Sequence, residues 1–351
     1  AFGNLRPDNL QFIVKFNRIT STETETSTED VYVAPVEERE PWELPKSIFK
    51  PRVKEADSRD FWDNDIVTNK VFERDWQRST AKEKFYGFLL RENKGNTNND
   101  KPTDEQCIKQ VHDVMKKYYK SFYSCFMYFA SIGSGSPFHM QLNPWTMFLD
   151  SANIPDAESL YIKRSDCDTL FIVSNYVADK KAPENKVNDD HALMRFEFME
   201  AVVRAAAAKY GKGIATVDLA EAVEMLFLKN ILPALTPYSA IWPNDFRESR
   251  LYTEECDNLF KKHSVLLKAI YSRYRLRPSG GGLRPKVLKL DGWHKLMDDV
   301  NMCDGQFALQ EATQCFMWSR MVVIDELKDF ARYECLTFID FLEALSRVAE
   351  M

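Results

Sequence analysis

Two stretches of this chain carry the residue types that hold a hard cation. Residues 186–197, KVNDDHALMRFE, place Asn188, Asp189 and Asp190 ahead of Glu197, and residues 329–340, DFARYECLTFID, open on Asp329 and close on Asp340. Oxygen ligands spread over about twelve residues are what a calcium loop requires. The five histidines, His112, His139, His191, His263 and His294, are dispersed, and none forms HxxxH or HExxH. They read as surface or half-buried structural groups. Ser-Gly-Gly-Gly at 279–282 lacks a trailing GK[ST] and a preceding strand, so it reads as a flexible loop rather than a phosphate cradle. There is no GxSxG, and no cysteine has a histidine at a diagnostic spacing. Paired carboxylates on helices read as solvated faces. Nothing here argues for catalysis, and no cofactor is expected. The concentrated charge feature is basic: Arg273, Arg275, Arg277, Arg284, Lys286 and Lys289 cluster in an otherwise acidic chain. In the plain reading they line a solvated loop. In the functional reading they form a patch for an acidic partner surface.

The elements that position these residues come from an internal duplication. LMRFEFMEAVVRAA, from Leu193, recurs as LTFIDFLEALSRVA, from Leu336, with Phe198/Phe341, Glu200/Glu343, Ala201/Ala344 and Arg204/Arg347 in register. Upstream, MQLNPWTMFLDSANIPDA from Met140 aligns with LKLDGWHKLMDDVNMCDG from Leu288 through Trp145/Trp293, Asp150/Asp298 and Asn153/Asn301. The same offset sets Cys167 opposite Cys315. In each copy a β-like residue runs straight into an amphipathic helix, the pattern of the second half of an EF-hand. Each copy therefore reads as an EF-hand pair, giving four hands.

Numbering each loop from its β-like residue at position 8 tests the ligands. In the first hand positions 1, 3, 5 and 12 are Gly133, Gly135, Pro137 and Pro144; in the third they are Gly281, Leu283, Pro285 and Gly292. Neither set offers a ligand. The second hand keeps Glu197 at position 12 but has Lys186, Asn188 and His191 at 1, 3 and 6. The fourth keeps Asp329 and Asp340 but has Ala331, Tyr333 and Glu334 at 3, 5 and 6. With one or two carboxylates and no Gly turn, calcium would stay mostly hydrated. All four hands are expected to be metal-free, held by apolar faces rather than ions.

The expected fold is mainly α-helical. Residues 1–58 form an extended arm, 59–106 a helical segment and linker, 107–213 the first EF-hand-like pair, 214–252 a connecting helix and loop, and 253–351 the second pair. Prolines at 35, 41, 45 and 51 break any continuous helix in the arm. Trp42, Leu44, Ile48 and Phe49 punctuate it as candidate anchors for a partner's grooves. Residues 19–51 would then serve as a tether.

With the endings FEFMEAVVRAA and IDFLEALSRVA in view, the chain resembles the EF-hand-like, axoneme-associated proteins of cilia and flagella. In that class degenerate EF-hand pairs act as docking modules. SIFKPRVKEADSRDFWDNDIVTNKVFERDW, from Ser47, is similar to segments of axonemal proteins that lie along microtubules. The resemblance covers residues 107–351 for the hands. It implies a non-catalytic structural protein of the cytoskeleton whose partners are other axonemal proteins: tubulin, or a dynein-linked, radial-spoke or central-pair component. The alternative is a calcium-responsive adaptor with one functional hand; a small-molecule enzyme is the third reading.

Composition bounds these readings. At 351 residues with 44% hydrophobic and 13% aromatic content, the chain can bury sizeable cores. A net charge of -6 argues against general nucleic-acid affinity, and no apolar run reaches a membrane span. Seven scattered cysteines without CxxC fit a reducing cytoplasmic compartment.

Overall fold

A computed structural model describes residues 40–92, 103–178, 181–212, 217–275, 287–303, 305 and 307–351, and it is mainly α-helical. Helix α1 (Asp65–Thr80) starts where Asn64 accepts the Val67 N–H at 3.0 Å, and it buries Val67, Val71, Phe72 and Trp76. Helix α2 (Glu83–Glu92) follows. The first repeat comprises α3 (Asp104–Lys117), α4 (Tyr119–Ser131), β1 (Met140–Gln141), α5 (Leu142–Ser151), α6 (Arg164–Asn175), β2 (Ala192–Leu193) and α7 (Arg195–Ala206). Helix α8 (Leu219–Leu226) connects to the second repeat. That repeat runs α9 (Glu254–Lys262), α10 (Ser264–Tyr274), β3 (Leu288–Lys289), α11 (Leu290–Asp299), α12 (Leu309–Ser319), β4 (Cys335–Leu336) and α13 (Phe338–Glu350).

The two copies close alike. Met140 pairs with Leu193 and Leu288 with Leu336 in two short antiparallel bridges, so the residues numbered 8 face each other in each copy. Asn153 and Asn301, just past α5 and α11, are the two non-glycine residues of positive φ among those described, at 48° and 51°. Each sits where the chain reverses out of its helix, and the next N–H returns to a carbonyl five residues back. Trp145 and Trp293 are both fully buried. Their indole N–H groups donate to Cys167 O at 3.2 Å and Ala312 O at 2.8 Å. The entering helices break alike too: Tyr118 and His263 interrupt α3–α4 and α9–α10 at φ −101°, ψ 10° and φ −101°, ψ 11°. Each entering segment is thus two helices rather than one.

The Trp acceptors also correct the alignment. Cys167 corresponds to Ala312, and Cys315 lies about one helical turn further along. The connection between the helices is residues 152–163 in the first copy and 300–308 in the second, three residues shorter. Thr103 caps α3, with Gln106 completing the box.

The arm boundary moves as well. From Trp42 onward the chain belongs to one compact unit that runs to Met351. The Trp42 indole N–H and the Ile48 N–H both donate to the Asp257 carboxylate, at 2.9 and 2.8 Å. Phe49 is fully buried, its ring 5.2 Å from Tyr252 and 6.1 Å from Phe260. Trp42, Leu44 and Ile48 are half-buried on the same body. The prolines do stop long helices, but they admit single turns: Pro45 sits in the first turn of Leu44–Lys46, and Pro51 precedes Arg52–Glu55. Water-averse side chains therefore find their grooves within the chain itself, and Phe49 is not an anchor for a partner. The tether reading of residues 19–51 is left with 19–39, which lie outside the described residues.

The repeats do not stand as separate beads. Helix α12 packs against α4. Phe138 of the first copy meets Phe316 and Phe330 of the second, both at 6.2 Å. Helix α8 packs on α3 and α7, and Phe227 just beyond it stacks on Tyr118 at 4.8 Å. The core is continuous across both copies.

Candidate functional site

The residues closing the loops decide what the loops can do. In the fourth loop, Asp340 is fully buried at the start of α13, where its carboxylate accepts the Thr337 N–H at 3.0 Å. A capping carboxylate needs positive charge when water is excluded. Two guanidiniums supply it: Arg332, from within the same loop, at 2.9 Å, and Arg52, from the N-terminal segment, at 3.3 Å. Burial opposes ionisation of Asp340, but Arg332 and Arg52 outweigh it and hold the carboxyl below its ordinary range. The place where a dication would neutralise this carboxylate is filled by the chain's own cations.

The second loop is closed differently. Glu197 is also fully buried. It accepts from Met194 N at 3.1 Å, Asn188 Nδ2 at 2.8 Å and Asn175 Nδ2 at 3.2 Å. Asn188, at loop position 3, thus spends its amide on the residue at position 12. Amides stabilise the carboxylate less than a full charge does, and burial pushes the Glu197 carboxyl up to about 7.

The sign of the pH effect follows. A carboxyl whose folded pKa lies above its unfolded value keeps its proton in the fold after the unfolded chain has lost it. Its contribution to stability therefore falls as pH rises from the ordinary carboxylate range to about 7 and is constant above that. Glu197→Gln, which keeps the acceptor oxygen, removes this dependence. Relative to wild type it gains stability between about pH 5 and about pH 8, at up to about 1.4 kcal/mol per unit below pH 7. Denaturant unfolding at the two pH values measures the difference; an identical pH slope in both proteins contradicts it.

The third loop leaves no room for a side chain at its twelfth position, and the first leaves none at its first. A Cβ at Gly292 would sit 2.2 Å from the Tyr274 carbonyl oxygen, and one at Gly133 would sit 2.7 Å from Pro144 Cγ. Among the described residues no three His, Cys, Asp or Glu side chains converge to hold a metal ion.

Behind the loops lie buried charges that were expected to face water. Glu200 and Glu343, equivalent in the two repeats, are both fully buried, each paired with the arginine one turn on: Arg204 at 2.8 Å and Arg347 at 2.7 Å. Lys82 adds to Glu200 at 2.8 Å. Glu343 gains two more guanidiniums, Arg52 and Arg247, the latter at 3.0 Å. Arg247 also holds Asp63 at 2.8 Å and donates to Arg320 O at 2.9 Å. In the other repeat Arg195 is fully buried between Asp75 and Glu326. The solvated-face reading fails for these carboxylates because each meets a cation from another element: Lys82 for Glu200, and Arg52 and Arg247 for Glu343. The recurrence of Glu200/Arg204 as Glu343/Arg347 is the sequence signal that marks them.

The expected basic patch is described only in part. Arg273 is exposed near the end of α10, its guanidinium 5.8 Å from the Tyr274 ring centre, and Arg275 is half-buried. Lys289 is drawn away into an ion pair with Glu334. Arg277, Arg284 and Lys286 lie outside the described residues. Of the histidines, His112 bonds Glu73, His294 bonds Thr313, and His139 stacks on Phe330 at 5.4 Å. No helix among the described residues is long and apolar enough to cross a membrane. No family model, curated protein or solved structure matches the chain.

Proposed function

We propose that this chain is a non-catalytic docking protein of the ciliary or flagellar axoneme, built on two tandem EF-hand-like pairs that are closed without calcium. The EF-hand-like reading is supported by the bridges Met140–Leu193 and Leu288–Leu336, which join the two loops of each copy at the position such a pair uses. The observation that carries calcium independence is the pairing of Asp340 with Arg332 and Arg52. A cation entering the fourth loop would have to displace guanidiniums already in contact with the carboxylate. The mechanism is multivalent docking, in which helix faces and the N-terminal segment bind neighbouring axonemal proteins together. Tubulin and dynein-linked, radial-spoke or central-pair components are the partners this reading names. The axonemal location rests on the resemblance of the repeat endings. A tagged full-length copy expressed in a ciliated cell is expected to stay on the detergent-extracted axoneme; a diffuse, fully extractable signal overturns the location.

A second reading has one observation in its favour. Glu197 is bonded by amides, so the second loop lacks the built-in guanidinium of the fourth. A calcium-responsive adaptor would work through that loop, and a calcium titration separates the two.

A further inference from the structure

Residues 320–329, which lead from α12 into the fourth loop, form a strap without helix or strand, and most of it is buried. A buried irregular segment must find partners for its backbone, and this one finds them on distant elements. The Val322 N–H donates to Asp63 at 3.2 Å and the Ile324 N–H to Asp57 at 2.8 Å. The Asp325 carboxylate takes two nitrogens of Arg78, on α1, at 3.1 and 2.8 Å, with Arg74 beside them at 3.4 Å. Next to it, Glu326 accepts the backbone N–H of Arg195, the first residue of α7, at 2.8 Å. Leu327 then packs with Met194 and Phe196 in a small core of its own, closed by Val187 and Phe330. The strap thus fastens the approach to the fourth loop onto α1 and onto α7 of the first repeat.

Glu326 is the weak point of this fastening. It is fully buried, yet its Oε2 has no hydrogen-bond partner among the described residues. The guanidinium facing it is that of Arg195, whose Nη1 stands 3.7 Å away and also makes no hydrogen bond among the described residues. Arg195 is already committed elsewhere. Its Nε and Nη2 donate to Asp75 at 2.5 and 3.0 Å, and the Tyr119 hydroxyl donates to the same carboxylate at 2.5 Å. One cation therefore stands between two buried carboxylates, and Asp75 holds the better geometry. An ionised carboxylate out of water with one oxygen unbonded is costly, and a proton removes the penalty. Burial pushes the Glu326 carboxyl up to about 7, against the pull of Arg195, with Asp75 adding to the rise and Arg78 opposing it. Tyr123, from α4, and Tyr333, from the fourth loop, are further titratable groups near it. We propose that residues 320–329 are a pH-released strap: they hold the second and fourth loops together while Glu326 keeps its proton, and open more readily once it is lost.

The sign follows from the two states of the strap. In the open strap Glu326 meets water and loses its proton in the ordinary carboxylate range; in the closed strap it keeps the proton up to about 7. Closure is therefore strongest below the ordinary range, weakens as pH rises to about 7, and is constant above that. Amide exchange of the full-length protein, corrected for the intrinsic rate at each pH, reads the opening at Val322, Ile324 and Lys328, whose N–H groups are bonded by Asp63, Asp57 and Asp325. Wild-type protection divided by that of Glu326→Gln should fall by up to about tenfold per pH unit between about pH 5 and about pH 7. The ratio removes what other groups contribute. One of these is His139, which stacks on Phe330 and acts in the opposite direction because burial disfavours its charged form. His139→Phe keeps a ring there and leaves Glu326 in place, so in that variant protection should fall with pH, whether or not the Gln variant folds. Glu197→Gln should exchange at the strap as wild type does. The proposal is overturned if the ratio is constant, or if His139→Phe shows no fall. It is also overturned if Glu197→Gln alters the response as Glu326→Gln does, which would place the proton in the second loop. Strap amides that exchange no faster than those of α4 at every pH would make the strap part of global unfolding and overturn it too. None of these outcomes depends on where the protein resides in a cell.

Discussion

Replacing Glu343 by Gln should destabilise the fold by about 3–5 kcal/mol, the range seen when one member of a buried ion network is removed. Glu343 is fully buried in α13, with Arg347 at 2.7 Å, Arg247 at 3.0 Å and Arg52 also in contact. Gln preserves the shape but deletes the negative charge on which three guanidiniums converge. The remaining carboxylates are Asp63, held by Arg247 at 2.8 Å, and Asp340, already shared by Arg52 and Arg332. Neither can turn to face Arg347 without giving up its present partner. Chemical denaturation reads the effect. A loss under about 1 kcal/mol, the size of an ordinary surface change, would mean that water reaches the network and that the three segments joined by Arg52, Arg247 and Glu343 are not locked together.

Truncating Trp145 or Trp293 to Ala should cost about 3–5 kcal/mol each through the cavity left behind. Both indoles are fully buried and both meet the aromatic that anchors the last helix of their repeat edge-on. Trp145 lies 6.0 Å from Phe198 at 87°, and Trp293 lies 6.3 Å from Phe341 at 83°. Each truncation also strands a backbone carbonyl, that of Cys167 or Ala312, which the indole N–H had satisfied. Equal roles predict similar losses in unfolding measurements. A severe loss at one tryptophan and under about 1 kcal/mol at the other would contradict the equivalence of the repeats.

What could be read from the sequence was what the chain encodes locally. The β-like residue before each closing helix, the tryptophan after each first loop and the asparagine past each following helix are set by neighbouring residues. They therefore recur in register, and Met140 does meet Leu193 as Leu288 meets Leu336. The correspondence failed beyond Asn301, because a three-residue shortening inside a polar connection leaves no mark on helical periodicity and turned Cys167/Cys315 by one turn.

The loop chemistry was legible in its vacancies and not in its substitutes. Empty ligand positions can be counted from residue types. That Arg332 and Arg52 would stand against Asp340 could not be, since Arg52 lies in another element, almost the full chain length away. The same holds for Arg247, Asp63 and Asp75. Periodicity shows that a helix has a polar face but not that a second polar face covers it. For the N-terminal segment, the prolines correctly excluded long helices. The residues that receive Trp42, Ile48 and Phe49, namely Asp257, Tyr252 and Phe260, carry no sign in the sequence that they form a groove.

The claim on which the rest depends is that the second and fourth loops are closed by the protein's own side chains. Isothermal titration of the full-length chain with calcium, up to about 1 mM free ion, addresses it directly, with helix content followed by circular dichroism. Asp340 is already neutralised by Arg332 and Arg52, and Glu197 is bonded by Asn188 and Asn175, so the account predicts no saturable heat and no change in helix content. A saturable site tighter than about 10 μM, the range of calcium sensors, would contradict it.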